Sequence, residues 1–228
     1  MRKIPSGKDV FLWIPQRMGK TPEELAKLIR NASITSVNIK FHDGADDQSK
    51  YYSGYYKTAP LIDFVNKFRE YGIDVNGWCA IYPNSVSYTR SEVDVAKKVI
   101  ETYQPDSWAL DIEGRWDGQG DKNLARKYCS AIKTAYPDLP IGMCSYRTPS
   151  DHPGVPWMDF LEFCDFHFPQ VYWVDAHNSA IQLQKSYEQL MKLKSMPYIP
   201  AGSAYPAGKW APTVSDFREF CETAKKLS

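Results

Sequence analysis

The feature of this sequence that most constrains its fold is an unbroken alternation of short apolar segments with longer amphipathic ones. Seven segments have the composition of buried strands, and a helical pattern follows each of them. They are the segments 10–15, 36–42, 75–82, 107–113, 140–146, 166–173 and 196–202. Repeated strand-helix units with right-handed crossovers predict a parallel sheet covered by helices.

Helix signals support this order of elements. The predicted helices are 21–32, 59–72, 91–103, 121–136, a short one near 156–164, 179–194, and a last one after Thr213. Three pairs have the spacing of a capping box, in which two side chains bind each other's backbone. They are Thr21 with Glu24, Ser91 with Asp94, and Thr213 with Asp216. The last helix is expected to turn Phe217, Phe220, Cys221 and Ala224 inward.

Two architectures fit seven such units in one domain spanning 1–228: a closed (β/α)8 TIM barrel and an open doubly wound sheet. The doubly wound sheet usually has a glycine-rich turn after its first strand, and "WIPQRMGKTPEE" has no GxGxxG. The barrel is therefore favoured, although it needs eight strands to close. We expect an incomplete or irregular barrel, with an eighth unit beyond residue 228 of a longer chain, or a strand supplied by residues 1–8 or by a merged element.

The composition argues against several classes of binding partner. The chain has 28 basic and 27 acidic residues without a long run of either charge, which argues against nucleic acid. No segment has the apolar length of a membrane span. The five cysteines form no CxxC pair and each accompanies an apolar segment, so buried free thiols are expected and a reducing, cytoplasmic compartment is favoured. The histidines form no metal-binding pattern, and we expect no cofactor or metal. Asp43, Asp46 and Asp47 are interpreted as solvated loop charges.

Two carboxylates stand at the end of the predicted fourth strand, in the stretch "SWALDIEGRW". Since side chains alternate along a strand, Asp111 and Glu113 point the same way, towards the barrel mouth, where such barrels build their active sites. Ionising one of them raises the pKa of the other. Such a pair is the apparatus of glycoside hydrolysis. The alternative is that Glu113 is only a solvated charge or a helix cap.

The same alternation places other polar and aromatic side chains at this end. On the predicted second strand, Asn38, Lys40 and His42 share one face, and on the sixth strand Gln170 and Tyr172 share another. A strand interior of this kind is typical of a binding site. The expected substrate-binding side chains are Lys40, His42, Trp78, Tyr82, Tyr146, Gln170, Tyr172, Asp175 and Tyr205, and Arg147 is expected beside Tyr146 at the same end.

The D-x-E of Asp111 and Glu113 resembles the barrel glycoside hydrolases of family 25, the lysozyme-type muramidases, and the tail of the family 18 chitinase motif. "PQVYW" also resembles the aromatic sixth strand of such barrels. The resemblance implies that Glu113 is the general acid and that Asp111 steadies the substrate N-acetyl group or the charge formed at the anomeric carbon. The sequence departs from the chitinase pattern at Ala109, where that pattern has aspartate. Family 25 places another aspartate at the end of its first strand, whereas Asp9 begins that strand here, and Asp175 is a candidate substitute.

These observations predict a glycosidase that cleaves an N-acetylhexosamine polysaccharide such as peptidoglycan or chitin. A second hypothesis is a non-catalytic glycan-binding or structural barrel within a larger assembly. A third is a lyase or phosphate-handling barrel, because "AGSAYPAG" carries glycines where such barrels hold phosphate.

Overall fold

The strands form a parallel sheet that curls into an incomplete barrel in a computed structural model, which describes residues 2–47 and 59–227. They are β1 (Asp9–Leu12), β2 (Ser36–Asp43), β3 (Asp46–Asp47), β4 (Asp74–Ala80), β5 (Trp108–Ile112), β6 (Ile141–Ser145), β7 (Phe166–His167), β8 (Gln170–Val171) and β9 (Ala201–Gly202). The order is β1-β2-β4-β5-β6-β7, while β8 pairs with β9 and the short β3 pairs antiparallel with β2. The predicted fold class is thereby confirmed.

Two of the predicted strands are much shorter than expected. The segment 166–173 is interrupted between β7 and β8 at Pro169, which has no N–H to donate to a ladder. The Pro169 carbonyl still accepts a hydrogen bond from Ala201 N at 2.8 Å, so the sheet continues past the interruption. The segment 196–202 reduces to β9 and an isolated bridge at Tyr198.

The helices lie outside the sheet. They are α1 (Pro22–Asn31), α2 (Leu61–Glu70), α3 (Val86–Tyr103), α4 (Trp116–Gln119), α5 (Lys122–Ala135), α6 (Trp157–Leu161), α7 (Ser179–Leu193) and α8 (Val214–Leu227). Single 3-10 turns occupy Pro15–Met18 and Pro149–Asp151.

Capping explains where several helices begin. The Thr21–Glu24 capping box forms with both of its bonds, and Thr213 and Asp216 make the equivalent pair at 2.7 and 3.2 Å. The predicted start at Ser91 is wrong, because α3 begins one and a half turns earlier. Its N-cap is Ser85, whose Oγ accepts a hydrogen bond from Tyr88 N at 3.1 Å.

The inward stripe predicted for α8 is only partly present. Phe220 packs against Trp173 with ring centroids 5.2 Å apart. Phe217 touches the same indole edge-on but remains 37% exposed. Cys221 is exposed, while the other four cysteines are buried as expected. The prediction that every thiol is buried is therefore wrong at Cys221, because this thiol lies on the outer side of α8.

The core has two parts. The larger one fills the space between sheet and helices, and the smaller one fills the barrel interior with Ala109, Cys144, Phe166, Phe168 and Ala201. Gly142 leaves the space that the Phe166 ring occupies, since a Cβ there would lie 2.3 Å from it. Side chains thus fill the barrel interior, and only the mouth, at the carboxyl end of the strands, is available for a ligand.

A β-bulge on β2 changes which side chains reach the mouth. Lys40 pairs with Trp78, but His42 pairs with the next residue, Cys79, so the alternation slips by one between them. His42 consequently faces the helices, fully buried and stacked on Trp108 at 5.6 Å. The prediction that His42 shares the inner face with Lys40 is wrong for this reason. Asp43 takes the inward place instead.

Candidate active site

A cavity of about 580 Å³ opens at the carboxyl end of the strands. Asp111 and Glu113 both line it, as the alternation along the strand predicts. The predicted side chains that also line it are Trp78, Tyr146, Gln170, Tyr172 and Tyr205. Four aromatic rings and one amide therefore surround the two carboxylates, a composition suited to the apolar faces and hydroxyl groups of sugars.

Asp111 is the partly buried member of the pair. Gln170 on β8 donates a hydrogen bond from Nε2 to Asp111 Oδ1 at 2.8 Å. Burial raises the pKa of the Asp111 carboxyl to about 7, and the neighbouring charges of Glu113 and Asp43 add to the rise. Lys40 and the Gln170 hydrogen bond oppose it. Near neutral pH this carboxyl can therefore hold or release a proton.

Glu113 follows the last residue of β5 and is exposed to the open cleft. The next residue, Gly114, has φ +58, which turns the chain away from the strand and is accessible to glycine at little cost. Gly114 N donates a hydrogen bond to the Tyr146 hydroxyl at 2.7 Å. The turn and this bond fix the backbone on which Glu113 is carried.

Asp43 is a site residue that the sequence interpretation missed. Its Oδ2 accepts a hydrogen bond from Lys40 Nζ at 2.6 Å and its Oδ1 accepts one from the Tyr82 hydroxyl at 2.7 Å. Burial by itself raises the pKa of Asp43, but the bonds from Lys40 and Tyr82 outweigh it and the pKa lies below its usual value. Its assignment as a solvated loop charge is wrong, because the bulge turns it towards the mouth.

Lys40 and Tyr82 occupy the β2 and β4 side of the mouth, next to the cavity wall. Lys40 is 7% exposed, and its Nζ lies 4.8 Å from the centre of the Trp78 ring, within cation-π range. The backbone of Tyr82 is fixed by a hydrogen bond that its N–H donates to Oε1 of the buried Glu92 at 2.8 Å. Lys40 and Tyr82 do not line the cavity themselves. Lys40 acts on the site through Asp43 and Trp78, and Tyr82 acts on it through Asp43.

Asp47 also departs from its interpretation as a solvated charge. It is 3% exposed and pairs with Lys98 on α3 at 2.9 Å. The paired strand β3 carries it back towards the helix layer, so it contributes to the fold beside the mouth.

The loops after β5 and β6 supply further lining residues that the sequence interpretation missed. The rings of His152 and Tyr146 stack with centroids 3.5 Å apart, and His152 Nδ1 bonds Asp117 Oδ2 at 2.8 Å. Thr148, Asp151 and, from β1, Phe11 line the same cavity and were also missed, whereas Arg147, which lines it too, was expected at this end. Their position directly after strand ends is the signal that could have identified most of them.

Two candidate carboxylates lie elsewhere. Asp175 is exposed on a turn with φ +64 and is not among the described residues that line the cavity. Asp9 is the first residue of β1, at the end of the barrel opposite the mouth, and burial raises its pKa to about 6. The proposal that Asp175 substitutes for a first-strand aspartate at the cavity is therefore wrong, since its turn carries the side chain away.

The glycines of "AGSAYPAG" have local structural reasons. A Cβ at Gly202 would approach the Trp173 ring to 2.9 Å, and Gly208 has φ +59 in a turn. Neither observation indicates a phosphate site.

Comparison with known proteins relates this architecture to barrel glycoside hydrolases. A GH18 chitinase from Pseudoalteromonas aurantia has a TM-score of 0.65 at 14% identity, covering 97% of this chain and 90% of the chitinase. Active domain 2 of a chitinase from Pyrococcus furiosus has a TM-score of 0.65 at 15% identity, covering 98% and 82%. The spore cortex-lytic enzyme SleL of Bacillus megaterium has a TM-score of 0.59 at 14% identity, covering 96% and 57%.

These likenesses show the fold, since one barrel architecture supports many activities. No protein-family model matches the chain, and no curated protein is similar to it in sequence. Within the described residues, none of the helices combines the length and apolarity required to cross a membrane.

Proposed function

We propose that this protein hydrolyses glycosidic bonds in an N-acetylhexosamine polysaccharide, peptidoglycan or a chitin-like polymer. The observation that carries the proposal is the pairing of Asp111 and Glu113 in an aromatic-lined cleft at the carboxyl end of the strands. Both families that the D-x-E resembles, family 25 and family 18, place the acid at the position of Glu113. The structural neighbours include chitinases and a spore cortex-lytic enzyme.

In this proposal Glu113 is the general acid. Its carboxyl gives a proton to the glycosidic oxygen while the bond from that oxygen to the anomeric carbon breaks. Water then supplies the hydroxyl group at the anomeric carbon and returns a proton to the site. The exposed position of Glu113 at the cleft makes it reachable by a polymer lying across the mouth.

Asp111 acts beside it as the orienting carboxyl. Gln170 fixes one of its oxygens, and the other is available to a substrate N-acetyl group or to Glu113. Because burial and the charge of Glu113 raise the pKa of Asp111, this carboxyl holds its proton over a range of pH in which a free aspartate is ionised. Tyr172 contacts Tyr205 edge to face, with ring centroids 6.4 Å apart, and both rings line the cavity with Asp111.

The test is the variant Glu113→Gln, which keeps the shape of the side chain but cannot donate the proton. Turnover of solubilised peptidoglycan and of chitin oligomers should fall by at least about 10³-fold, with oligosaccharide binding retained. Glu219→Gln, on the exposed side of α8, is the matched control and should behave as the native chain. Full activity of Glu113→Gln on every substrate that the native chain cleaves contradicts the assignment.

Glycan binding without hydrolysis is the second candidate, and two observations favour it. Glu113 is exposed, so the protein alone does little to desolvate it. At the position where the chitinase motif has aspartate, Ala109 is 1% exposed in the inner apolar cluster. Tight binding of oligosaccharides by the native chain, with release of no reducing ends, would select this candidate.

The cytoplasmic compartment that the free thiols favour stays a prediction.

A further inference from the structure

We propose that Arg147 binds a carboxylate carried by a sugar of the glycan, so that the preferred substrate is an acidic polysaccharide and not a neutral one. The inference rests on the proposed function, because it requires a glycan in this cleft. The lactyl ether of N-acetylmuramic acid and the C6 carboxylate of a uronic acid supply the same chemistry.

The position of Arg147 is fixed by its neighbours. It follows Tyr146 just beyond the end of β6, is half-buried, and lines the cavity that contains Asp111 and Glu113. Its Nε donates a hydrogen bond to Gln182 Oε1 on α7 at 3.1 Å. With Nε held in this way, the two terminal amino groups of the guanidinium remain for a ligand, and their fork matches the two oxygens of a carboxylate.

Arg147 differs from Arg126 in having no ion pair among the described residues, and from Arg115, which bonds the neutral Asn84, in lining the cavity. Arg126 is exposed and forms ion pairs with Asp159 and Glu162, both at 2.6 Å. Among the described residues, no carboxylate forms an ion pair with Arg147, whose only hydrogen-bond partner there is the neutral Gln182. A half-buried guanidinium without a counter-ion is costly, and an anionic ligand offsets that cost.

The carboxylates of the cleft determine where the acidic group can lie. Asp111 and Glu113 repel a ligand anion, so the sugar carboxylate must point away from them and towards Arg147. The third carboxylate of the lining, Asp151, already accepts a hydrogen bond from Thr148 Oγ1 at 2.8 Å and pairs with Lys185 at 4.0 Å. The sugar with the acidic substituent therefore occupies a fixed place relative to the bond that is cleaved. A neutral oligomer gains nothing from Arg147.

The experiment measures binding by calorimetry in the full chain carrying Glu113→Gln, which prevents turnover. Three oligosaccharides of equal length are compared: an N-acetylglucosamine oligomer, one alternating with N-acetylmuramic acid, and a hyaluronan fragment that alternates with glucuronic acid. Adding Arg147→Gln should weaken binding of the preferred acidic oligomer by about 10- to 100-fold and leave the neutral oligomer unchanged. Arg115→Gln, exposed and bonded to Asn84 at 2.9 Å, is the matched control and should change none of them.

The outcomes separate the two proposals. Preference for the muramic acid oligomer or for the hyaluronan fragment identifies the source of the carboxylate. If the neutral oligomer binds as tightly as both acidic ones and Arg147→Gln alters nothing, this inference is overturned and glycan binding stands. If no oligomer binds to a protein whose thermal unfolding is unchanged, the proposed function itself is overturned.

Discussion

The pKa of Asp111 depends on two residues of opposite charge on β2, Lys40 and Asp43. The pKa of its carboxyl, raised to about 7 by burial, is pushed further up by Asp43 and down by Lys40. These two residues pair with each other at 2.6 Å, so each also tempers the effect of the other. The protonation of the site is thus adjusted from a strand two places away in the sheet.

The pH profile of the reaction should report this adjustment. Above about pH 7 Asp111 loses its proton and can no longer donate a hydrogen bond to the substrate N-acetyl group or to Glu113, so kcat/KM should fall on that side. Lys40→Met removes the charge that lowers the Asp111 pKa and should move this limb to higher pH. Asp43→Asn removes the charge that raises it and should move the limb to lower pH. Shifts in the same direction, or none, would contradict the coupling.

The individual strands differ in how well their sequence predicts their structure. On β5 the alternation is regular, so Ala109, Asp111 and Glu113 face inward as expected. On β2 one extra residue reverses the pattern after Lys40, and nothing in the local composition indicates the bulge. Fold class followed from the order of elements, which no single slip can alter, whereas site residues depended on register and on loops whose conformation is set by tertiary contacts.

Close packing at Gly77 on β4 can be tested directly. A Cβ at this position would lie 2.5 Å from the Trp108 ring and 2.8 Å from the Phe41 ring, which are stacked beneath the helices. Gly77→Ala should lower the free energy of unfolding in urea by about 1 to 3 kcal/mol. Gly118→Ala, where no atom lies within 4 Å of the added Cβ, is the control and should be close to neutral. Equal stability of the two variants would argue against the packing described.

At the scale of the whole molecule, two buried ionisable side chains outside the cleft contribute to the pH dependence of stability on opposite sides of neutrality. Burial raises the pKa of Glu92 to about 8 and lowers that of His42 to about 4, so both are uncharged in the folded protein. Stability contributed by Glu92 is complete below its unfolded pKa of about 4.3 and is lost as pH rises to about 8. Stability contributed by His42 is complete above about pH 6.5 and is lost as pH falls to about 4.

Glu92→Gln isolates the alkaline side of this dependence. Glutamine keeps an oxygen for the Tyr82 N–H but cannot ionise, so the variant should gain stability over the native chain as pH rises from about 4.5 to 8. The gain should reach on the order of 5 kcal/mol at pH 8, measured by urea unfolding across that range. Glu222→Gln, exposed on α8, should parallel the native chain throughout. A constant difference between Glu92→Gln and the native chain would show that Glu92 does not titrate as described.

The exposed thiol of Cys221 offers a practical consequence. Since the other four cysteines are buried, a thiol-reactive dye or surface should couple to the folded chain at one position on α8. The attachment point belongs to the outer helical layer and not to the cavity lining, which leaves the cleft open to a long polymer. The protein can therefore be attached to a surface in one orientation, or labelled with one dye and observed as single molecules on insoluble polysaccharide, without introducing or removing a cysteine.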